Sequence, residues 1–373
     1  MSSTSWVESL SPWPAEFGLG RMRELLRRLG DPQLEYEAVH VVGTNGKSTT
    51  TRMIEALLAG EGPRVGAYLS PHVRGWRERI RVAGAEADFE RAVARIRPEA
   101  EAVGATQFEV LTAAALAEFA HAGVDAAVVE AGLGGRFDAT NVLRSRVVVL
   151  TNVRLEHTDV LGETREKIAA EKLAVIRPGS TAVLGEPEWE QAAREAGAER
   201  VVLVSRSNLG LAVAAATEFL GRPVGPQAAE SVVLPGRVER RGEHPLEIWD
   251  GAHTIDAVGY LLGRLPSREY VIVASILRDK DVDGILAALR PLGGRLLATT
   301  SSNPRALPAE ELARHALTRF ATVETIGDPA AARERALELA GGEGAVLVTG
   351  SLYLLADLSV RLEHVRWRNP ARV

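Results

Sequence analysis

The stretch Val39-His40-Val41-Val42-Gly43-Thr44-Asn45-Gly46-Lys47-Ser48-Thr49-Thr50 constrains the fold of this chain more than any other. An apolar run ends in a glycine turn. Lys47 and Ser48 follow, and then apolar residues at helical spacing: Met53, Ile54, Leu57 and Leu58. The order strand, loop, helix belongs to α/β proteins with a parallel sheet. Gly43 and Gly46 let the backbone turn tightly and aim its N–H groups at an anion, and the helix N-terminus adds partial positive charge. Lys47 can reach the outer phosphates of a nucleotide, and Ser48 can hold Mg²⁺. Only Thr44 and Asn45 separate the two glycines, where the common phosphate loop has four residues. A glycine turn that merely caps a helix has similar letters, but the strand before it and the helix after it favour phosphate binding.

Lysine usage points to the same place. The chain has 44 Lys plus Arg, yet lysine occurs only at Lys47, Lys167, Lys172 and Lys280. Codon bias explains an arginine excess. Lysines that survive it mark positions where a compact ammonium, or its neutral amine, has chemical use. Length and composition set the frame: 373 residues, 46% hydrophobic and 25% charged, fit two globular domains. The net charge of −5 speaks against a general nucleic-acid binder. Without cysteine there is no disulfide, thiolate nucleophile or Cys-ligated metal site. The N-terminus carries Trp6, Pro12, Trp13 and Pro14 but no basic segment followed by an apolar one, and no apolar run is long enough to span a membrane. A cytoplasmic monomer is expected, with small-molecule partners and neither nucleic acid nor membrane.

Strand-like runs fall at 39–42, 65–69, 126–130, 146–151, 181–184 and 201–204, with helical patterns at 18–29, 48–59, 88–103, 108–122, 164–176, 187–196 and 208–220. This alternation predicts a parallel sheet covered on both faces. Gly221 to Pro226 is turn-rich. A second alternating series follows, with strands near 246–249, 270–275, 295–300, 322–326 and 345–349 and helices between them. The expected architecture is α/β: a P-loop-type sheet domain over 1–222, a linker over 223–234, and a smaller Rossmann-like domain over 235–373.

In parallel sheets ligands bind at the carboxyl ends of strands, so the turns there carry the chemistry. Glu130 ends one strand and precedes the glycine-rich turn Gly132-Leu133-Gly134-Gly135; a carboxylate beside a triphosphate loop is a natural Mg²⁺ ligand. His157, in the turn Thr151–Asp159, is a candidate for a second Mg²⁺, although magnesium prefers oxygen and a lone histidine is often only hydrogen-bonded. Glu156 and Asp159 read equally as turn caps. Lys172 lies in a helix after that turn. Its amine, unlike a guanidinium, can take up CO₂ to become an anionic carbamate. In the second series, Asp250–His253, Ser275–Asp281 and Thr349–Tyr353 each follow a strand, so three polar turns would meet at one edge of that sheet.

The order of these motifs resembles the folylpolyglutamate synthase/dihydrofolate synthase family of the Mur ligase superfamily. The resemblance runs from Phe17-Gly18-Leu19 through His40–Ser48, Ser70-Pro71-His72, Phe108–Phe119, Glu130–Asn141, Asn152–Gly162, Glu171-Lys172, Pro235-Gly236-Arg237, Asp250–His253, Lys280-Asp281 and Asn303–Pro308 to Thr349–Tyr353. It implies an ATP-dependent ligase that joins L-glutamate to dihydropteroate or a reduced folate through an acyl phosphate. It further implies that Gly43, Thr44, Asn45, Gly46, Lys47 and Ser48 hold the triphosphate, and that Ser48, Ser70 and Glu130 hold one Mg²⁺. His157 and a carbamylated Lys172 would hold a second. Asn208 aligns near adenine; Arg237, Asp250 and His253 contact the nucleotide; Asp138 and Ser351 contact substrate. Lys47, Lys172, His157 and His253 are the expected catalytic set.

The sequence departs from the family pattern in four places. Ser48 stands where the family has glycine, giving the Gly-Lys-Ser-Thr form of cell-wall ligases. Thr254 stands for asparagine, and Glu156 for aspartate. Only residues 173–207 separate Lys172 from Asn208, fewer than usual. Two alternatives therefore stay open: another Mur-type amino-acid ligase with a cell-wall or polyglutamate substrate, and a non-catalytic nucleotide-binding homologue.

Overall fold

A computed structural model describes residues 1–14, 16–205 and 207–368. The chain divides into two units, Met1–His72 with Trp76–Val232, and Val73–Gly75 with the residues from Val233 onward.

The first unit is built on β1 (Glu37–Val42), β2 (Val65–Tyr68), β3 (Ile80–Val82), β4 (Ala85–Glu86), β5 (Ala126–Glu130), β6 (Ser145–Leu150), β7 (Thr181–Leu184) and β8 (Arg200–Leu203). Their order in the sheet is β4-β3-β2-β5-β1-β6-β7-β8. From β2 to β8 every pair is parallel; β3 and β4 add an antiparallel hairpin at one edge. Alternate residues serve opposite faces. Val39 and Val41 pack under the helices Lys47–Gly60 and Asn208–Leu220. Ala38 faces the helices Phe89–Val103 and Gln107–His121 on the other side. Burial on both faces explains the near-continuous valine runs, as parallel sheets require.

The second unit has β9 (Glu239–Glu243), β10 (Leu246–Trp249), β11 (Tyr270–Ala274), β12 (Arg295–Ala298), β13 (Thr322–Thr325) and β14 (Ala345–Thr349), in the order β13-β12-β11-β14-β10-β9. All pairs are parallel except β10 with β9. Both units are α/β, as expected.

The differences from the expected elements lie at the edges. The short hairpin β3–β4 and the strand Glu-Arg-Arg-Gly-Glu of β9 carry no apolar run. Edge strands are half-solvated and often charged, so periodicity does not reveal them. The helix Ser3–Ser9 was likewise invisible to pattern; its Ser3 N–H and Thr4 N–H donate to the Glu90 carboxylate. The segment read as a linker contributes to packing: Val224 and Ala229 are buried in the core of the first unit.

Candidate active site

The phosphate loop leaves β1 at Val42 and enters the helix Lys47–Gly60. Gly43 and Gly46 both have positive φ, and both have neighbours that forbid a side chain. A Cβ on Gly43 would lie 1.9 Å from Thr151 Oγ1, and one on Gly46 would lie 2.6 Å from Asn208 Oδ1. Gly46 caps the helix without a side-chain hydrogen bond, so the first-turn N–H groups keep their capacity for an anion. The loop is braced from the turn after β6. Thr44 N–H donates to Asn152 O (2.9 Å) and Asn45 N–H to Asn152 Oδ1 (3.0 Å). Thr151 Oγ1 and Asn152 Nδ2 both donate to Asn45 O. Arg154 N–H donates to Thr44 Oγ1. Arg154 in turn pairs with buried Glu186, which also accepts from Val153 N–H, Arg165 and Trp189 Nε1. Sequence reasoning took this turn for its histidine and missed Thr151, Asn152, Arg154 and Glu186. Their role follows from the pairing of β1 with β6, Val42 opposite Leu150, which only the structure shows.

Glu130, 1% exposed, ends the strand on the other side of β1. Its Oε1 accepts from Ser48 Oγ at 2.9 Å, and its Oε2 from Ser70 N–H at 3.0 Å. Thus Ser48, Ser70 and Glu130 come together. The Ser48–Glu130 oxygen separation is close to the edge of an octahedron with bonds of about 2.1 Å, the geometry Mg²⁺ demands. The donors are hard oxygens, so these residues fit magnesium.

Lys47 Nζ donates to Gly43 O and Thr44 O, each at 3.1 Å. Lys172, 1% exposed, reaches the same loop from the helix Arg165–Leu173: its Nζ donates to Gly43 O at 2.8 Å and pairs with Glu156 Oε1 at 3.0 Å. Desolvation pulls the Lys172 pKa down to about 8; Glu156 opposes this and Lys47 adds to it. Burial alone would raise the Glu156 carboxyl, but the charges of Lys172 and Lys47, with hydrogen bonds from Lys172 and Thr44, hold it below its ordinary value. Glu156 is therefore an ion-pair partner rather than a turn cap. His157 is exposed, with φ of +47°, at the start of the short helix Thr158–Leu161.

Asp138 lies in a different setting. It lines a cavity of about 240 Å³ whose walls include Trp13, Phe17, Phe108, Phe137, Glu109 and Glu171. Asp138 Oδ2 accepts from Leu133 N–H at 2.8 Å, and Oδ1 from Thr140 N–H and Thr140 Oγ1. Thr140 Oγ1 also meets Nε2 of buried His40 at 2.8 Å. Burial raises the Asp138 pKa, against these hydrogen bonds. Neither His40 nor Thr140 was singled out by sequence.

In the second unit, β14 lies between β10 and β11, so the three polar turns do share one edge. Asp250 is buried, which raises its pKa; its carboxylate accepts from Val238 N–H and Ala252 N–H, both at 2.8 Å. His253 Nδ1 is 2.7 Å from Gly251 O. A carbonyl only accepts, so Nδ1 carries the proton. Arg237 donates to Gly236 O, and Ser351 Oγ accepts from Tyr353 N–H. Thr254 caps the helix Ile255–Leu262 through Ala257 N–H.

Two family models match the chain: the Mur ligase middle domain over 41–220, and the glutamate ligase domain of Mur ligases over 236–352. The dihydrofolate synthase/folylpolyglutamate synthase of Escherichia coli is 33% identical, over 95% of this chain and 93% of that protein. This chain belongs to the dihydrofolate synthase/folylpolyglutamate synthase family. The family member from Mycobacterium tuberculosis is also 33% identical, over 83% of this chain and 80% of its own length. Among solved structures, E. coli FolC in complex with DHPP and ADP superposes with a TM-score of 0.88 at 31% identity, covering 98% of this chain and 99% of that one. A family structure with Mn, AMPPNP and L-glutamate bound gives 0.86 at 31% identity, over 97% and 98%. The family departures acquire local reasons. Thr254 fills the same N-cap role as the asparagine it replaces, its hydroxyl accepting from Ala257 N–H. The short segment 173–207 still supplies β7 and β8, and Ser207 caps the helix that begins at Asn208. No helix among the described residues is long and apolar enough to cross a membrane.

Proposed function

We propose that this chain is an ATP-dependent acid–amino-acid ligase that adds L-glutamate to dihydropteroate, to a reduced folate, or to both, acting as a cytoplasmic monomer. A substrate carboxylate attacks the γ-phosphorus of ATP, forming an acyl phosphate and releasing ADP. The glutamate amine then attacks the acyl carbon, a proton leaves the nitrogen, and phosphate departs. Such chemistry rests on positioning and charge neutralisation more than on a nucleophilic side chain.

The observation that carries the reading is the junction at the phosphate loop. The Glu130 carboxylate joins Ser48 Oγ and the Ser70 N–H at the start of the loop's helix, and two lysines converge on Gly43 O. We assign the triphosphate to Gly43, Thr44, Asn45, Gly46, Lys47 and Ser48, with Asn208 on the adenine side. Magnesium held by Ser48, Ser70 and Glu130 would neutralise charge on the phosphoryl oxygens. His157 and a carbamylated Lys172 are assigned to a second ion. The carbamate forms when the neutral amine adds to CO₂ and loses a proton, and the lowered pKa of Lys172 supplies that amine. Losing the ammonium leaves Glu156 beside a second anion, a pair that a divalent cation neutralises. Asp138 and its aromatic cavity take the pterin. In the second unit the reading assigns nucleotide contacts to Arg237, Asp250 and His253, and a substrate contact to Ser351. We take 1–222 as the ATP-binding domain and 235–373 as the ligase domain. Neighbours described with DHPP and ADP, and with Mn, AMPPNP and L-glutamate, support these assignments.

The test is ADP release by the purified chain with Mg²⁺, glutamate and, in separate reactions, dihydropteroate, reduced folates or cell-wall precursors. ADP release coupled to a pterin acceptor is the expected result. Coupling only to a cell-wall precursor would move the chain to a different ligase activity, and no coupling at all would leave a nucleotide-binding homologue.

A further inference from the structure

One set of buried polar groups outside the phosphate loop connects to the cavity lined by Asp138. His40 sits on β1, upstream of the phosphate loop and on the opposite face from Val39 and Val41. Its Nε2 lies 2.8 Å from Thr140 Oγ1, and Thr140 Oγ1 also contacts Asp138 Oδ1. All three side chains are buried, and Asp138 alone of them borders the cavity.

A threonine hydroxyl has one proton and must divide its roles between two neighbours. If His40 carries its proton on Nε2, it donates to Thr140, and Thr140 is left to donate to Asp138. Asp138 is then a carboxylate with Oδ1 satisfied by two donors from Thr140, and Oδ2 satisfied by Leu133 N–H with lone-pair capacity towards the cavity. If instead the proton is on Nδ1, Thr140 donates to His40. Asp138 Oδ1 then keeps only the Thr140 N–H and faces a lone pair of the hydroxyl, which favours its protonated form. The tautomer of one buried ring therefore decides whether the cavity offers an acceptor or a protonated acid.

We propose that His40 is a positioning residue for ligand recognition: held as the Nε2–H tautomer, it orients the Thr140 hydroxyl so that Asp138 meets N–H donors of a bound heterocycle as a carboxylate acceptor. This rests on the assignment of the Asp138 cavity to the pterin. Burial keeps His40 neutral, pulling its pKa down to about 3, with Arg177 acting in the same direction, so both tautomers remain chemically available to the ring. The charged or titratable groups coupled to Asp138 are Lys172 and Tyr68, while Glu109 and Glu171 share its cavity walls. None of them hydrogen-bonds Thr140 Oγ1 among the described contacts. Burial raises the Asp138 pKa, and the Thr140 hydroxyl is the contact that opposes this most, so the carboxylate form depends on the hydroxyl that His40 orients.

The experiment measures dissociation constants for dihydropteroate and, separately, for ADP with Mg²⁺, on the full chain and four variants. Thr140→Val keeps the shape and removes the hydroxyl; His40→Leu removes the ring donor. Each should weaken dihydropteroate by about tenfold, the usual consequence of leaving one buried polar group unpaired, with ADP affinity unchanged within about twofold. Thr140→Ser keeps the hydroxyl, and His40→Gln places an amide N–H near the Nε2 position, so both should stay within about threefold of the unaltered chain. Nitrogen-15 histidine spectra of the unaltered protein should show His40 protonated at Nε2. Retained dihydropteroate affinity in Thr140→Val and His40→Leu would overturn the proposal, as would an Nδ1–H tautomer. Equal loss of ADP and dihydropteroate would reveal a purely structural role and also overturn it. If the unaltered chain binds ADP but no dihydropteroate, the pterin assignment fails first; the spectrum still decides the tautomer.

Discussion

Both units place polar turns at the carboxyl ends of parallel strands, but they connect them differently. In the first unit the polar groups link separate turns: Ser48 to Glu130, Asn45 to Asn152, and Lys172 to Gly43. In the second most close on their own turn, His253 on Gly251, Ser351 on Tyr353 and Thr254 on Ala257, while Asp250 holds both Ala252 and Val238 and Ser275 Oγ accepts from Ser301 N–H as the longer links. A network of long-range partners holds several charges in one place. Local closures rigidify individual turns. Substitutions in the first unit's network should therefore act on chemistry, and a substitution at Thr254, a helix cap with no assigned ligand contact, on stability.

The strongest way to break this contrast is Lys47→Ala. If Lys47 serves developing phosphoryl charge as proposed, removing it should cost about 2.7–4 kcal/mol of transition-state stabilisation, a drop in turnover of roughly 10²–10³-fold. Steady-state ligation assays check it, and near-normal turnover would sink the phosphate-loop assignment.

Lys172→Arg comes next. It keeps positive charge but cannot form a carbamate, so it should lose at least about 90% of turnover, on the order of 1.4 kcal/mol or more. Carbon-13 bicarbonate should label the unaltered protein and not the variant. Lys172→Ala should also be impaired, with partial recovery on adding short carboxylic acids. Full activity of Lys172→Arg after CO₂ removal would rule the carbamate out.

Stability against pH sharpens the same point. The folded Lys172 pKa, about 8, lies below its ordinary value of 10.5. Between these values the unfolded chain binds the proton and the folded chain does not, so stability rises with pH through this window. The contribution is complete above the unfolded pKa and is lost as pH falls through 8. Denaturant melts of the unaltered chain and Lys172→Met, both freed of CO₂, should diverge by on the order of 3 kcal/mol across that range. Parallel curves would mean that the burial of Lys172 has no protonation consequence.

The smallest effect is expected in the second unit. Thr254→Ala should cost about 1 kcal/mol of stability through loss of the N-cap, and Thr254→Asn should cost less than about 0.5 kcal/mol. Turnover of the folded variants should remain within about twofold. A large loss of turnover in Thr254→Asn would show that the local closures of this unit also carry chemistry.

Much of the fold was readable in advance, because buried parallel strands announce themselves as valine-rich runs and the intervening helices by their spacing. The edge strands β3, β4 and β9 were not, since solvated edges need no apolar run. Within the candidate site, Glu130 was legible as a strand-end carboxylate before a glycine turn, Lys47 as a lysine inside one, and Lys172 as one of only four lysines. Glu156 was read equally as a cap, because nothing in its immediate neighbours shows that a buried lysine will sit against it.

The sequence alone determined the α/β element order, the glycine loop entering a helix, and the chemistry stationed at each strand end. Those signals are local: they depend on side-chain period and on what glycine, lysine and serine can do within a few residues. Tertiary structure alone decided the partners. Inserting β1 between β5 and β6 brings Glu130 to Ser48 and Asn152 to Asn45, and it lets Lys172 reach Gly43 O. The same insertion sets His40 over Thr140. Strand order follows from how the crossover helices pack, a balance of burial over the whole sheet, and no short stretch of residues contains it.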